Sequence, residues 1–263
     1  MKIIDLGIKE YGEVWELQKG LVLDRAQNII SNTLLLVEHP HVITKGRRSK
    51  NTDIVHVNAP VFEVERGGEV TYHGPGQLVG YPIVYIHRFG VKKYMELLEE
   101  VVIQTLKKFD IHGERKAGAT GVWVHSHPER SEGSLKKIAS LGVAVKKWVT
   151  YHGFALNVNT DLEYFKMIRP CGFDASVMTS IKEILQRDVD MQEIKRELSY
   201  QWKVIFGSWV GGAEGEAPSP RPQRTRGRMM ESVLQRQDPE IDVLSSDRSF
   251  ISGYPHRFLR DDF

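Results

Sequence analysis

Two stretches carry apolar residues at helical spacing. In residues 11–30, YGEVWELQKGLVLDRAQNII, the side chains Val14, Leu17, Leu21, Ala26 and Ile29 fall roughly on one face, which predicts an amphipathic helix. Residues 91–109, VKKYMELLEEVVIQTLKKF, give the clearest such pattern, with Met95, Leu98, Val102 and Leu106 on the buried side. Short apolar runs predict strands at 33–40 (stopped by Pro40), 78–86, 120–124, 138–145 and 151–158. The polar segment between Val124 and Lys137 predicts a surface loop. One or two helical turns are expected over 161–168, ended by Pro170, and helices over 176–186 and 191–206. Strands with long helices packed against them predict an α+β fold built on a layered sheet.

The pattern stops near residue 208. Residues 211–228, GGAEGEAPSPRPQRTRGR, contain no aliphatic side chain larger than Ala and are expected to be disordered. The main domain is therefore drawn as 1–207 and residues 208–263 as a largely disordered tail. Of the 263 residues, 41% are hydrophobic and 27% charged, the profile of an ordinary globular protein. A net charge of +2 gives no argument for a nucleic-acid or membrane partner. The single cysteine, Cys171, excludes an intramolecular disulfide and argues against a cysteine-based zinc site. The first residues, MKIIDLGIKEYGEVW, carry charges where a signal peptide needs an apolar core, and no apolar run is long enough to span a bilayer. A cytoplasmic location is the default expectation.

Against this background one stretch stands apart. RGGEVTYHGPGQLVGYPI (66–83) holds five glycines and two prolines among polar and aromatic residues. It has no Walker pattern and no dinucleotide fingerprint. It reads either as a tight hairpin or as a wall that lets a thin ligand lie against backbone, and Arg66, Tyr72, His73 and Gln77 favour the wall. Cys171, in IRPCGFD, is either a small buried hydrophobe or a nucleophile. As a nucleophile it needs a positive neighbour, and only Arg169 is adjacent in sequence. Lys136 and Lys137 open a buried strand, so one of them faces inward. An inward lysine can sit as a cation beside a thiolate or act as a base; the alternative is a solvated strand end. His73 and His152, both in YHG, are general-base candidates or structural histidines and make a weak metal signal. EHPHVITKGRR (38–48) gathers Lys45, Arg47 and Arg48, either solvated surface or a patch for an acidic partner.

Taken in order, EHPHVITKGRR, RGGEVTYHGPGQLVGYPI, TGVWV, KIASLGVAV, YHGFALNV and PCGF resemble the lipoyl(octanoyl) transferases over roughly residues 1–205. The resemblance implies the catalytic-domain fold of biotin and lipoate protein ligases, a central mixed β-sheet flanked by helices. It implies transfer of an octanoyl or lipoyl group from acyl carrier protein to a lysine of a lipoyl domain, such as those of 2-oxoacid dehydrogenase E2 subunits and the glycine cleavage H protein. It implies Cys171 as nucleophile and Lys137 as its catalytic partner, without metal, cofactor or ATP. The acyl-binding segments it implies are Arg66, Gly67, Gly68, Glu69, Val70, Thr71, Tyr72 and His73; Ser140, Leu141 and Gly142; and Gly153, Phe154 and Ala155. Gly68 and Gly76 are then expected to matter for acyl binding more than for folding. The competing readings are an ATP-dependent lipoate or biotin ligase, an amidotransferase between lipoyl domains, and a non-catalytic acyl-binding module.

Overall fold

The computed structural model describes residues 1–125, 134–170 and 174–210. Cys171 and the tail from residue 211 lie outside the described residues, as does most of the expected loop after Val124. Ten strands form two sheets. In chain order they are Lys2–Ile8 (β1), Thr33–Glu38 (β2), Val42–Lys45 (β3), Val61–Glu63 (β4) and Val70–His73 (β5). Then come Gln77–Ile83 (β6), Gly113–Lys116 (β7), Ala119–His125 (β8), Leu135–Lys146 (β9) and Val149–Asn157 (β10). The larger sheet is ordered β1-β2-β6-β10-β9-β8-β7; β1 and β2 are parallel and the other neighbours antiparallel. The smaller is β4-β3-β5, with one parallel and one antiparallel pair. Both sheets are thus mixed.

Helices Tyr11–Ala26 (α1), Gly90–Lys107 (α2), Ile181–Leu185 (α3) and Met191–Val210 (α4) complete the described elements. One face of the large sheet carries the main core. There, Leu98, Val102 and Leu106 of α2 and Leu198, Trp202 and Phe206 of α4 pack on Leu34, Leu78, Val122, Phe154 and Leu156. At roughly 25 cal/mol per Å² of buried apolar surface this layer carries most of the fold's stabilisation. The buried face of α2 is wider than the four positions predicted, taking in Tyr94, Leu97 and Val101.

α1 departs further from its pattern. It ends at Ala26 because the chain turns at Asn28, which has a positive φ of 58°, and Ile29 is left 64% exposed. Its buried face includes two polar residues. Gln18 accepts from the backbone N–H of His152 (2.7 Å), and Arg25 donates to Asn32 (2.7 Å) and Asn28 (2.6 Å). The helix expected over 176–186 is broken. A 3₁₀ turn covers Ala175–Val177, and α3 begins only after Ser180, whose side chain accepts from Glu183 N–H (3.1 Å). Between them Met178 bridges to Lys137, so this segment serves the sheet.

Gly76 explains part of the glycine content of its loop. Its φ is +79°, and a β-carbon there would stand 2.7 Å from the Asn159 carbonyl group. Its N–H donates to Glu38 (3.1 Å), and its carbonyl accepts from Val158 and Asn159. The residue serves a close approach between two loops, not a ligand, which corrects the expectation for this position. Gly76→Ala is expected to cost about 2 kcal/mol or more of stability, lowering Tm by roughly 5–10 °C. Octanoyl binding measured below the transition should be unchanged.

Candidate functional site

On the face of the large sheet opposite α2 and α4 lies a slot. Its volume, mouth included, is about 460 Å³, within the range of small-molecule sites. Val70, Val79, Leu141, Phe154 and Ala155 form its apolar walls. Tyr11 of α1, Arg66, His73, Tyr81, Ser140 and His152 add polar groups. The alternation of β6 and β10 builds this face: Gln77, Val79 and Tyr81 point one way with Gly153, Ala155 and Asn157, while Leu78, Phe154 and Leu156 join the core.

β9 does not alternate cleanly. Its register with β8 passes from Val122↔Ala139 directly to Trp123↔Lys137, so Ile138 is an extra residue, a β-bulge. Ile138 and Ala139 consequently both enter the core, and Lys137 comes to the same face as Ser140 and Gly142. Lys137 is 3% exposed, and its Nζ lies 5.5 Å from the centre of the Trp123 ring. Room for it comes from Gly121, where a β-carbon would lie 2.5 Å from the lysine Cε. Lys137 is not one of the slot-lining residues. It stands on the same face roughly 10 Å along β9 from Ser140. Lys136, turned the other way, donates to the Ser176 carbonyl.

Most of the sequence-predicted binding segments line the slot: Arg66, Gly68, Val70, Thr71 and His73, then Ser140, Leu141 and Gly142, then Gly153, Phe154 and Ala155. Three predicted residues do not. Tyr72 faces away because β5 alternates; it packs with Ile43, Phe165 and Met167, and its hydroxyl meets His41 Nδ1 (2.7 Å). Gly67 ties the loop to β9 through its N–H, which donates to Val143 (2.9 Å), and Glu69 receives Gly46 N–H (3.2 Å) on its carbonyl. Arg66 anchors the loop, its guanidinium donating to the carbonyl (2.7 Å) and hydroxyl (3.0 Å) of Thr44. The slot residues absent from the prediction are Tyr11, Val79, Tyr81 and His152. Val79 and Tyr81 were marked by strand alternation with Gln77, whereas Tyr11 arrives from a distant helix.

The polar end of the slot is uncharged at its rings. Burial pushes the pKa of His73 down to about 3, and that of His39 and His152 down to about 4. His39 Nδ1 lies 2.7 Å from the Lys9 carbonyl, which can only accept; Nε2 therefore accepts from the Tyr81 hydroxyl (2.9 Å). Groups with such low pKa values are poor general bases at neutral pH, which leaves His73 and His152 as hydrogen-bonding groups of the slot. The unfolded chain protonates its histidines near pH 6.5, whereas the folded rings resist. Stability is therefore full above about pH 6.5 and falls as pH drops toward 4, by about 1.4 kcal/mol per pH unit for each such histidine. Chemical denaturation between pH 7 and 4.5 should show this loss, reduced in a His39→Asn variant.

Comparison with other proteins places this architecture. The Lipoyl protein ligase A/B catalytic domain family matches residues 10–203. Octanoyltransferase of Syntrophobacter fumaroxidans is 42% identical over 213 residues, covering 78% of this chain and 90% of that protein. Octanoyltransferase of Alkaliphilus metalliredigens is 43% identical over 216 residues, covering 78% and 95%. Among solved structures, the bipartite lipoate protein ligase of Thermoplasma acidophilum shares the fold at a TM-score of 0.59, with 15% identity over 78% of this chain and 83% of that one. With this span and identity, the chain belongs to the lipoyl protein ligase A/B catalytic-domain family and, within it, to the octanoyltransferases.

Proposed function

We propose that this acyltransferase, acting in protein lipoylation, moves the octanoyl group from acyl carrier protein to a lipoyl-domain lysine through a thioester on Cys171, with Lys137 as catalytic partner. The observation that carries this reading is the pairing of Lys137 with the chain on the C-terminal side of Cys171. Thr179 N–H donates to the Lys137 carbonyl (3.0 Å), and Met178 forms the bridge beside it. On the N-terminal side, Arg169 N–H donates to Asp53 (2.8 Å). Both flanks of Cys171 are held, one of them directly on the strand that turns Lys137 to the slot face.

A cysteine thiol ionises near pH 8.5, and a neighbouring ammonium favours the thiolate. The thiolate adds to the donor thioester carbon, and the carrier thiol leaves with a proton, its former bond replaced by the Cys171 thioester. The acyl chain occupies the slot between Val79, Leu141 and Phe154. A neutral acceptor amine then adds to the same carbon. The amide forms, the cysteine sulfur leaves, and the amine's proton passes to Lys137 or to that sulfur. No ATP enters this balance, since a thioester is exchanged for a thioester and then for a more stable amide. Acceptors are the lipoyl domains of 2-oxoacid dehydrogenase E2 subunits and of the glycine cleavage H protein.

Arg47 and Arg48 are exposed, and their backbone N–H groups donate to the carbonyls of Arg66 and Gly68 (both 3.0 Å), at the slot's loop. Lys45 is instead paired with Glu63 (2.5 Å). The two arginines therefore form the part of the basic patch suited to an acidic carrier. Arg47→Ala/Arg48→Ala is expected to raise KM for octanoyl carrier protein several-fold and flatten its dependence on salt; an unchanged KM across ionic strength dismisses this role. For the reaction itself, intact mass after incubation with octanoyl carrier protein should show an octanoyl adduct on the wild type and none on Cys171→Ala. Lys137→Ala should retain acyl-chain binding and lose rate by roughly 10²-fold or more. Activity on free octanoate that depends on ATP would mark a ligase instead.

A further inference from the structure

Two buried carboxamides join the slot to Lys137. Gln77 on β6 and Asn157 on β10 are cross-strand partners, each 1% exposed. Gln77 Nε2 donates to the Tyr72 carbonyl (3.2 Å) and to Asn157 Oδ1 (2.9 Å). Asn157 Nδ2 donates to the Thr179 carbonyl (2.9 Å). Backbone carbonyls only accept, so Tyr72 and Thr179 fix which way both amides face. With both Gln77 N–H groups engaged, Oε1 is the atom that meets His73 Nδ1 at 2.7 Å. His73 is thereby held with its proton on Nδ1 and Nε2 bare. A chain of hydrogen bonds runs from a slot wall, through two side-chain amides, to Thr179, whose N–H donates to the Lys137 carbonyl.

The position of this chain matters. The β10–β9 ladder ends at Leu156↔Ala139, two residues short of Lys137. Beyond that point the backbone of β9 is paired by the Met178–Thr179 segment. That segment is fastened to the sheet by the Asn157 amide. An apolar pair at positions 77 and 157 would pack the sheet without the desolvation cost of two carboxamides, but would leave the Tyr72 and Thr179 carbonyls without these donors.

We propose that Gln77 and Asn157 are positioning residues of the transfer reaction, which hold the Met178–Thr179 segment on β9 and so set where Lys137 stands. The proposal rests on the reading of Lys137 as a catalytic residue. It is tested by steady-state kinetics with octanoyl carrier protein and a lipoyl domain, on Asn157→Leu in the wild-type and Lys137→Ala backgrounds. Asn157→Leu is expected to lower kcat about 10–100-fold while KM for the donor stays within about threefold. In the Lys137→Ala background the same substitution is expected to lower kcat by no more than about twofold, because the group it positions is gone. An equal loss in both backgrounds overturns the proposal, as does a change confined to KM. Wild-type kcat in Lys137→Ala alone overturns the catalytic reading and the proposal together. Gln77→Met breaks the chain one link earlier with little change of shape. It supplies the same comparison if Asn157→Leu does not fold, and Tm of each variant shows which case applies.

Discussion

One extra residue in one strand determines the character of the site. Without Ile138, the alternation of β9 would send Lys137 into the apolar layer beneath α2 and α4, where desolvation of a charge is prohibitive. With it, two consecutive apolar residues enter the core and the lysine emerges among Trp123, Gly121 and the strand positions that line the slot. A β-bulge re-aims a side chain at little cost because the ladder resumes on either side. Here it lets a long, fully paired strand contribute to the core for most of its length and to the chemistry at one end.

The two faces of the large sheet are accordingly different materials. One is packed with aliphatic and aromatic side chains from two long helices and supplies stability. The other carries glycines, small residues and neutral hydrogen-bonding rings, covered by α1 and the smaller sheet's β5. Burial strips the histidines of charge, and each then needs a defined donor or acceptor. His39 takes Tyr81, and His73 takes Gln77. A satisfied buried network holds its members in one arrangement, which an oily wall cannot do. Arg66 works in the same way from the loop side, joining the slot's rim to Thr44 and thereby to the smaller sheet.

Where the sheet ends, side-chain hydrogen bonds take over its work. The last turn of ladder between β10 and β9 is replaced by Asn157, Thr179 and the bridge at Met178. The same local logic interrupts the helix that the pattern of residues 176–186 predicts: the backbone groups of Met178 and Thr179 are engaged by Lys137, and Ser180 caps only the short helix α3 on its C-terminal side. Helix periodicity was present in the sequence, but a tertiary hydrogen bond claimed the donors it required.

Much of the architecture was legible from pattern alone. α2, α4 and the strands β2, β6, β8, β9 and β10 follow from spacing and apolar runs, because a buried face imposes its period on the sequence. The short strands β3, β4, β5 and β7 were not, since three or four residues carry too little pattern. The motif segments pointed to the slot walls because their residues are close in sequence and share a strand. Tyr72 was misassigned for the opposite reason: a contiguous motif on a strand necessarily puts alternate residues on opposite sides. The sequence by itself determined the element types, the glycine-rich wall and the choice between two adjacent lysines as the inward one. Only the tertiary structure decided that it was Lys137, that Gly76 serves loop packing, and that Gln77 and Asn157 link wall to lysine. Those outcomes depend on register and on contacts between residues up to 80 positions apart, which no local period encodes.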